Sequence, residues 1–476
     1  MHLTVQDKRW GVNMLDKVGL RKLVNENCSL LSILIGTVLV SFSIGPYQNL
    51  DTQLEYQAAL GVIKWGLPYV NSIGNMVNQP PLGFYFEALF FRIFGASIYT
   101  GTTLVTLFGI GSTVLIYKIG KELYDKPTGL FATALFALTP WELVLSRSFL
   151  IDAQCLFFSL LCLSVGILAI RKGSVKLILL SGVFFAIALL TKLFAAFILI
   201  PLLLFYLYYR PKNPRRILSQ FAAFCFPALL FVFLWYQVIL GKGLLYIFNN
   251  GDFSALNPAG VVTSPFFIGT FLNEFGLGFF FILAAVFSLL ICFSFRKTFS
   301  KIFVFDLICL TTIVIILGVD FFLSADLNLS APYIGAVKYD YQSLPFFSLL
   351  AASLTGKSRT LLKSAKIKMQ LKKLFFFSTA LTGVILLAAA IFYSIYVAHV
   401  LSTFNYLQLR VESNLNTGYS FFNSSPVGNY SFLMFLQYLG FIFVLFGLVW
   451  ASRRNLGSLL RLRIRQRFTE SKSTYN

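Results

Sequence analysis

LILLSGVFFAIALLTKLFAAFILIPLLLFYLYY, residues 177–209, decides the fold class of this chain. As a single α-helix the stretch would be about 50 Å long, whereas the hydrocarbon core of a bilayer is about 30 Å thick. It is too long for one crossing and fits two crossings that turn near Lys192, its lone charged residue. Basic clusters flank it at 171–176 and 210–216, as is typical of cytoplasmic loops.

The composition of the whole chain agrees with this local pattern. The chain has 476 residues, of which 57% are hydrophobic and 12% charged, with a mean hydropathy of +0.78. Apolar segments of about 20 residues recur along it, which excludes a soluble domain and predicts an all-α polytopic membrane protein. The net charge is +21, but the Lys and Arg residues sit in short clusters between apolar runs, so nucleic acid is not predicted as a partner. The 6 Cys residues lie in or beside apolar runs, without disulfide or zinc spacing.

The basic clusters predict the topology. If all of them are cytoplasmic, an even number of crossings separates each neighbouring pair, and each interval has room for one hairpin. The result is about twelve transmembrane helices, with both termini cytoplasmic. The predicted helices are 29–47, 98–119, 128–145, 151–170, 177–191, 193–209, 217–239, 275–295, 302–324, 340–356, 375–398 and 431–451.

The same scheme predicts the organisation of the chain. The first apolar run lacks a small-residue cleavage site and is interpreted as a retained helix. Long outer segments result at 48–97, 240–274 and 399–430. The predicted parts are a basic cytoplasmic N-terminus at 1–28, a main transmembrane module at 29–356, a basic cytoplasmic loop at 357–373, a C-terminal transmembrane hairpin at 374–452 and a basic cytoplasmic tail at 453–476.

The first outer segment is unusually polar for this chain. Within it, LDTQLEYQAALGVIKWG at 50–66 has Leu54, Ala58 and Val62 at helical spacing, which predicts a helix lying on the membrane surface. PPLGFYFEALFFRIFG at 80–95 begins with a proline pair, which favours a helix start. The first outer loop is therefore predicted to contain surface helices.

Charged residues collect at the predicted outer ends of the helices, at Asp51, Arg147, Asp152, Lys192 and Asp340. Ionisable groups at such positions are costly, and by default they indicate a functional site. Four of them also have a structural interpretation. Asp51 and Asp152 could cap their helices, Arg147 could be the structural partner of Asp152, and Lys192 could reach the lipid headgroups.

The order of these residues resembles the GT-C superfamily of glycosyltransferases. The resemblance is to the family that contains the dolichyl-phosphate-mannose protein mannosyltransferases and the lipid A aminoarabinose transferase. That family has an acidic residue after the first helix, a K-P-P-L-like turn, the pattern S-P-x(5)-S-R-x(4)-D and a D-Y-Y-x-L-P segment. The matching residues here are Asp51, NQPPLGF at 78–84, LTPWELVLSRSFLID at 138–152 and DYQSLP at 340–345. The resemblance covers residues 30–210 and 338–350.

The chain departs from the family pattern at informative positions. Thr52 follows Asp51 where the family commonly has Asp-Glu, with Glu55 one helical turn further on. Gln79 replaces the lysine that contacts the lipid phosphate in the aminoarabinose enzyme, and Gln342 replaces the second tyrosine of D-Y-Y. These departures predict a donor or acceptor that differs from those of the best-known members.

The resemblance implies transfer of a sugar from a polyprenyl-phosphate donor to a lipid, glycan or protein acceptor. Transfer would occur on the extracytoplasmic face of the plasma membrane, with inversion at the anomeric carbon. The implied roles are catalysis for Asp51, as general base, and Asp152; donor-phosphate binding for Lys192, Arg147 and Lys338; and donor or acceptor contact for Glu55, Asn78, Gln79, Asp340 and Tyr341.

Two alternatives stay open at this point. A divalent metal ion between Asp51 and Asp152 is one, although no cofactor is required by the residues. The other is a transporter or a flippase of lipid-linked glycans, which is also polytopic and basic inside. Transporters usually place their charges at mid-bilayer on broken helices, whereas the charges here gather at outer helix ends, which favours an enzyme.

Overall fold

The computed structural model describes residues 17–43, 50–77, 79–209, 213–241, 286–291, 300–324, 340–363 and 435–450, with the single positions 384 and 388. Over these residues the chain is helical apart from one short hairpin. The helices are α1 (Lys17–Ser43), α2 (Leu50–Trp65), α3 (Leu82–Phe94), α4 (Ile98–Leu123), α5 (Lys126–Ala137), α6 (Pro140–Leu145), α7 (Asp152–Lys172), α8 (Val175–Thr191), α9 (Leu199–Tyr208), α10 (Pro214–Phe233), α11 (286–291), α12 (Ser300–Ser324), α13 (Leu344–Lys363) and α14 (Phe435–Trp450).

Helices α7, α8 and α9 confirm the turn predicted near Lys192. Helix α7 ends at Gly173, which has the left-handed φ of 61° that glycine tolerates, and the side chain of Ser174 caps α8. Lys192 is extended and is followed by a 3₁₀ turn (Leu193–Ile198) and α9. The chain then returns far enough for Arg171 Nη2 to donate to Tyr209 Oη at 3.3 Å.

Other predicted helices are interrupted. The predicted helix 128–145 is split into α5 and α6, which begins at Pro140, because the residue before a proline is disfavoured in the α-conformation. Helix α10 contains Pro227 and continues as a π-helical segment (Leu234–Ile239). Such breaks follow local sterics that hydropathy does not report.

Polar contacts show which helix ends lie together at each of the two ends of the bundle. At one end, Arg171 pairs with Glu122, and Arg216 donates to the carbonyl of Gly173. These turns between α4 and α5, α7 and α8, and α9 and α10 carry basic clusters, and they define the basic end of the bundle. Asp152 begins α7 and Lys192 follows α8, so both lie at the opposite end, the site end.

Helix α13 extends beyond the predicted helix end at 356 and runs to Lys363. Lys357 is fully buried, donates to Asp306 and also donates to the carbonyl of Ser288 at 2.9 Å. A buried ammonium requires such partners, since its desolvation is costly. The predicted basic loop 357–373 therefore begins as part of a helix, and its first residue, Lys357, is buried.

The outside of the bundle is apolar. Four of the described helices are long and apolar enough to cross a membrane, namely Ile98–Leu123, Asp152–Lys172, Pro214–Ile239 and Lys301–Val319. On α10, Leu218 is 70% exposed and Leu229 is 69% exposed. A large apolar surface of this kind fits contact with lipid, in agreement with a polytopic membrane protein. The total of about twelve crossings stays a prediction.

The first outer segment forms a cap of α2, a short hairpin and α3. Strand β1 (Tyr69–Val70) pairs antiparallel with β2 (Asn75–Met76), a hairpin that the sequence did not predict. Gly61 lets α2 approach this hairpin, because a Cβ there would lie 2.1 Å from the carbonyl oxygen of Tyr69. The predicted helices at 50–66 and after the proline pair are confirmed as α2 and α3.

Helix α14, from the predicted C-terminal hairpin, packs on the first helix. A Cβ at Gly36 would lie 2.4 Å from the carbonyl oxygen of Gly440, so the two backbones touch. Ser32 Oγ donates to the carbonyl of Phe443 at 2.5 Å. Small residues at a helix crossing and a hydrogen bond across it are common means of helix association in membranes.

Candidate active site

The centre of the site is a buried ion pair between Asp152 and Lys192. Lys192 Nζ donates to Asp152 Oδ1 at 2.8 Å and to Oδ2 at 3.0 Å, and the residues are 1% and 3% exposed. Asp152 lies in the first turn of α7, and Lys192 lies at the end of α8. Since α7 and α8 are antiparallel, the hairpin brings these residues, 40 positions apart, to the same end. Lys192 is therefore not a side chain that extends to the lipid headgroups.

Helix α2 contacts the start of α7. Glu55 Oε2 accepts from the backbone N–H of Ile151 at 2.8 Å. Glu55 thus satisfies a backbone donor at the N-terminus of α7, a role that the sequence suggested for Asp152 itself. Asp51 lies in the first turn of α2, one turn before Glu55 and on the same side of the helix, about 6 Å along its axis. The contact of Glu55 with Ile151 thus places the first part of α2 against the start of α7, where Asp152 lies.

Helix α3 contacts the same turn of α7. A Cβ at Gly83 would lie 2.5 Å from Ile151 Cγ2 and 3.3 Å from Thr191 Cγ2, so α3 packs between the two residues that precede the ion pair. Gln79, half-buried, leads into this helix. Asn78, a predicted contact residue, lies outside the described residues.

Arg147 lies in the turn between α6 and α7, as predicted, and it is buried. Its Nη1 donates to Thr106 Oγ1 at 3.1 Å, and its guanidinium lies 5.1 Å from the centre of the Phe42 ring. Burial lowers the pKa of Arg147 to about 10, so the side chain stays charged at neutral pH. The ion pair of Asp152 is formed by Lys192, and not by Arg147 as the structural interpretation supposed.

The segment DYQSLP joins the site from α13. Asp340 and Tyr341 are buried, and Tyr341 Oη donates to Glu142 Oε2 at 2.5 Å. Gln342 Nε2 donates to Cys155 Sγ at 3.5 Å, one turn below Asp152. The structure thus brings the distant segment 340–345 to α6 and α7. Lys338 lies outside the described residues.

Metal binding finds little support in the arrangement of Asp152. Both of its oxygens accept from Lys192, so a metal ion there would have to displace the ammonium. Among the described residues no group of three His, Cys, Asp or Glu side chains could hold a metal.

The sequence did not single out Glu87 and Gln154. Gln154 Nε2 donates to Glu87 Oε1 at 2.9 Å, in a contact between α3 and α7. One signal was present, since Glu87 is the only acid among the aromatic residues of α3. An isolated acid on a largely apolar helix is expensive to bury without a specific partner.

An apolar groove begins beside the ion pair. It is a cavity of about 1160 Å³ between α8, the 3₁₀ turn, α9 and α10. Leu193, the neighbour of Lys192, lines one end of it, and Pro214 lines the other end, near the basic turns. The groove therefore extends from the site end to the basic end of the bundle.

Part of the sequence matches a known family. Residues 78–239 match the family described as dolichyl-phosphate-mannose-protein mannosyltransferase. Two candidate mannosyltransferases of Bacillus subtilis (strain 168) are similar. YkcB is 34% identical over 134 residues, which are 28% of this chain and 18% of that protein. YycA is 29% identical over 132 residues, 28% of this chain and 19% of that protein. The matched segment is thus less than one fifth of the length of either relative.

Solved structures resemble the fold over most of the chain. ArnT from Cupriavidus metallidurans in the apo state has a TM-score of 0.51 at 13% identity, covering 89% of this chain and 77% of that chain. ArnT bound to undecaprenyl phosphate has a TM-score of 0.50 at 14% identity, covering 94% and 80%. The chain therefore resembles ArnT in fold, and its residues 78–239 match the sequence pattern of the dolichyl-phosphate-mannose-protein mannosyltransferase family.

Proposed function

We propose that this chain is a membrane glycosyltransferase that moves a sugar from a polyprenyl-phosphate donor to a lipid, glycan or protein acceptor. Transfer takes place on the extracytoplasmic face, with inversion at the anomeric carbon. The observation that carries the proposal is the buried ion pair of Asp152 and Lys192 beside the apolar groove. A lipid-linked donor needs a place for a long apolar chain and a cation near its phosphate, and these two features meet that need.

The donor is assigned to the groove from its shape and lining. The lining is almost entirely aliphatic and aromatic and follows the depth of the bundle, as a polyprenyl chain within a bilayer would. The phosphate then lies at the site end, near Lys192. Undecaprenyl phosphate, a molecule of this class, is bound to ArnT in one of the solved structures of the same fold.

The reaction is a single displacement at C1 of the sugar. The acceptor oxygen or nitrogen forms a bond to C1 while it loses a proton to the carboxylate of Asp51. The bond between C1 and the phosphate oxygen breaks, and its electron pair stays on the phosphate. Attack from the face opposite the leaving group inverts the configuration at C1.

The two cations stabilise the charge that develops on the phosphate. Negative charge grows on the leaving group in the transition state, so a cation held nearby lowers the barrier more than it strengthens donor binding. Both carboxylate oxygens of Asp152 accept hydrogen bonds from the ammonium of Lys192, and this fixes the position of the cation before the donor binds. Arg147 supplies a second buried positive charge at the same end.

The extracytoplasmic location is supported by the distribution of basic residues. Arg171 and Arg216 lie at the basic end, together with their neighbouring Lys and Arg clusters. Lys and Arg are enriched in cytoplasmic loops, so the opposite end, which holds Asp152 and Lys192, faces outward. Both termini are then cytoplasmic.

A reconstituted assay tests the proposal. The purified protein is placed in proteoliposomes with a polyprenyl-phosphate mannose and with extracts of envelope glycolipids and glycoproteins as acceptors. We expect transfer of the sugar without any nucleotide sugar, and a product whose anomeric configuration, determined by NMR, is opposite to that of the donor. Use of a nucleotide sugar as donor, retention of configuration, or movement of the lipid across the bilayer without sugar transfer would each contradict the proposal.

A further inference from the structure

Glu87 is an acid buried without a cation. Its side chain lies on α3 and is 0% exposed. Gln154 Nε2 donates to Oε1 at 2.9 Å, whereas Oε2 has no hydrogen-bond partner among the described residues. The charged residue that acts on Glu87 is Glu55, which is another acid. A carboxylate in such a place would lose its hydration and gain no counter-charge.

These surroundings favour the uncharged form of Glu87. Helix α3 has 13 residues, about 20 Å, and belongs to the outer cap, so it does not cross the bilayer. Burial, and secondarily the charge of Glu55, raise the pKa of Glu87 well above its ordinary value, while the hydrogen bond from Gln154 opposes this shift. A neutral carboxyl keeps an oxygen that accepts from the Gln154 amide.

The partner of Glu87 is close to the ion pair. Gln154 lies two residues after Asp152, in the first turn of α7. The same turn is held by Glu55, which accepts from Ile151 N–H, and by Gly83, which packs on Ile151. The first turn of α7 is thus fixed by two hydrogen bonds that it donates, one to α2 and one to α3, and by the close approach of Gly83 on α3.

We propose that Glu87 is a positioning residue, which holds Gln154 and thereby fixes the first turn of α7 and the orientation of Asp152 toward Lys192. It is not a catalytic residue, because its buried carboxyl touches α7 and not a surface that the acceptor can reach. The inference rests on the proposed function only where it concerns turnover. Its structural part, that Glu87 makes residues 151–156 rigid, does not depend on the proposed function.

The substitutions that test it are Glu87→Gln and Glu87→Leu. Glutamine keeps the oxygen that accepts from Gln154 and is uncharged, as we infer Glu87 to be. We expect its kcat to stay within about threefold of the parent. Leucine removes the acceptor, and we expect kcat to fall about 10- to 100-fold with donor KM nearly unchanged, because a misplaced catalytic group slows the chemical step.

Hydrogen exchange provides a readout that needs no activity. Amides of residues 151–156 should exchange faster in Glu87→Leu and at the parental rate in Glu87→Gln. If the parent protein transfers no sugar, the proposed function fails, while this measurement still decides the positioning role. Glu122→Gln, which removes an acid at the basic end, is the matched control and should change neither kcat nor this exchange.

The opposite results would overturn the inference. Loss of activity in Glu87→Gln equal to that in Glu87→Leu would mean that the negative charge itself is needed. Parental kcat and exchange in Glu87→Leu would mean that the hydrogen bond positions nothing. If Glu87→Leu does not fold, Gln154→Met removes the same bond from its donor side and should reproduce the loss of kcat.

Discussion

Lys192 is a fully enclosed cation whose charge is balanced by Asp152. Two consequences follow at the scale of this residue. Under the proposed function the pair lies near the donor phosphate, and each member depends on the other for its burial. Removing one partner of a buried pair leaves an uncompensated charge, which costs about 3–5 kcal/mol.

Lys192→Ala is therefore expected to lower both stability and turnover. The unfolding free energy in detergent should fall by about 3 kcal/mol, since the buried Asp152 loses its partner. The double substitution Lys192→Met with Asp152→Asn should recover much of the stability but not the sugar transfer. Thermal unfolding and the transfer assay measure the two effects separately. If Lys192→Ala is as stable as the parent, the ion pair of Asp152 and Lys192 does not form in the membrane.

Asp51 is the predicted general base. Asp51→Asn keeps the size of the side chain and much of its ability to accept hydrogen bonds, but it cannot take up a proton at neutral pH. A general base contributes roughly 10² to 10⁴ in rate, whereas a lost helix cap costs only about 1 kcal/mol of stability. We expect a well-folded mutant whose kcat is lowered at least about a hundredfold, with donor binding nearly unchanged.

Glu55→Gln is the comparison for Asp51→Asn. Its amide oxygen can still accept from Ile151 N–H, so α7 should stay in place and turnover should fall much less. If Asp51→Asn keeps kcat within about threefold of the parent while Glu55→Gln abolishes it, the base is Glu55 and not Asp51.

At the scale of elements, the first outer segment contacts the start of α7 with both of its helices. Helix α2 supplies Glu55, and α3 supplies Gly83 and Glu87, all of them to residues 151–154. The polar character that distinguishes residues 48–97 from a membrane helix follows from this arrangement, because the segment has to contact the polar start of another helix.

Gly83→Ala tests this contact between α3 and α7. The new Cβ would lie 2.5 Å from Ile151 Cγ2, so Ile151 or α3 must shift, at a cost of about 1–3 kcal/mol. We expect lower thermal stability and lower kcat. Gly318→Ala is the matched control, since it also adds a methyl group within a helix but meets nothing within 4 Å. Equal behaviour of the two variants would mean that the close packing at Gly83 is unimportant.

At the scale of the whole molecule, the two ends of the bundle differ in chemistry. The basic end carries Arg171 and Arg216, and the site end carries Asp152, Lys192 and Arg147. The apolar groove runs between these two ends, and Leu193, the neighbour of Lys192, lines it at the site end.

Cysteine accessibility tests the orientation. Asn75→Cys, in the exposed outer hairpin, should react with an impermeant reagent added to intact cells, whereas Lys172→Cys should react only after the membrane is opened. The predicted outward positions near 255 and 415 lie outside the described residues. Labelling of Asn75→Cys and Lys172→Cys from the same side would overturn the hairpin scheme and the outer active site with it.

The sequence by itself determined several of the described helices and turns, because hydropathy, proline and charge clusters act within one segment. The turn at Lys192, the helix after Pro80 and Pro81, and the gathering of charges at one end were predicted from such local patterns. The shared site of Asp51, Arg147 and Asp152, which the resemblance implied, stays a prediction.

Only the tertiary structure decided the partners of those charges. Asp152 bonds Lys192 across 40 residues, and Glu55 bonds Ile151 across 96. A lone acid in a sequence can cap a helix, bind a cation or stay neutral, and the choice depends on which helices pack against it. The sequence did not single out Glu87 for the same reason, since its hydrogen-bond partner, Gln154, lies on another helix. Burial and pairing are properties of packing, and no local pattern contains them.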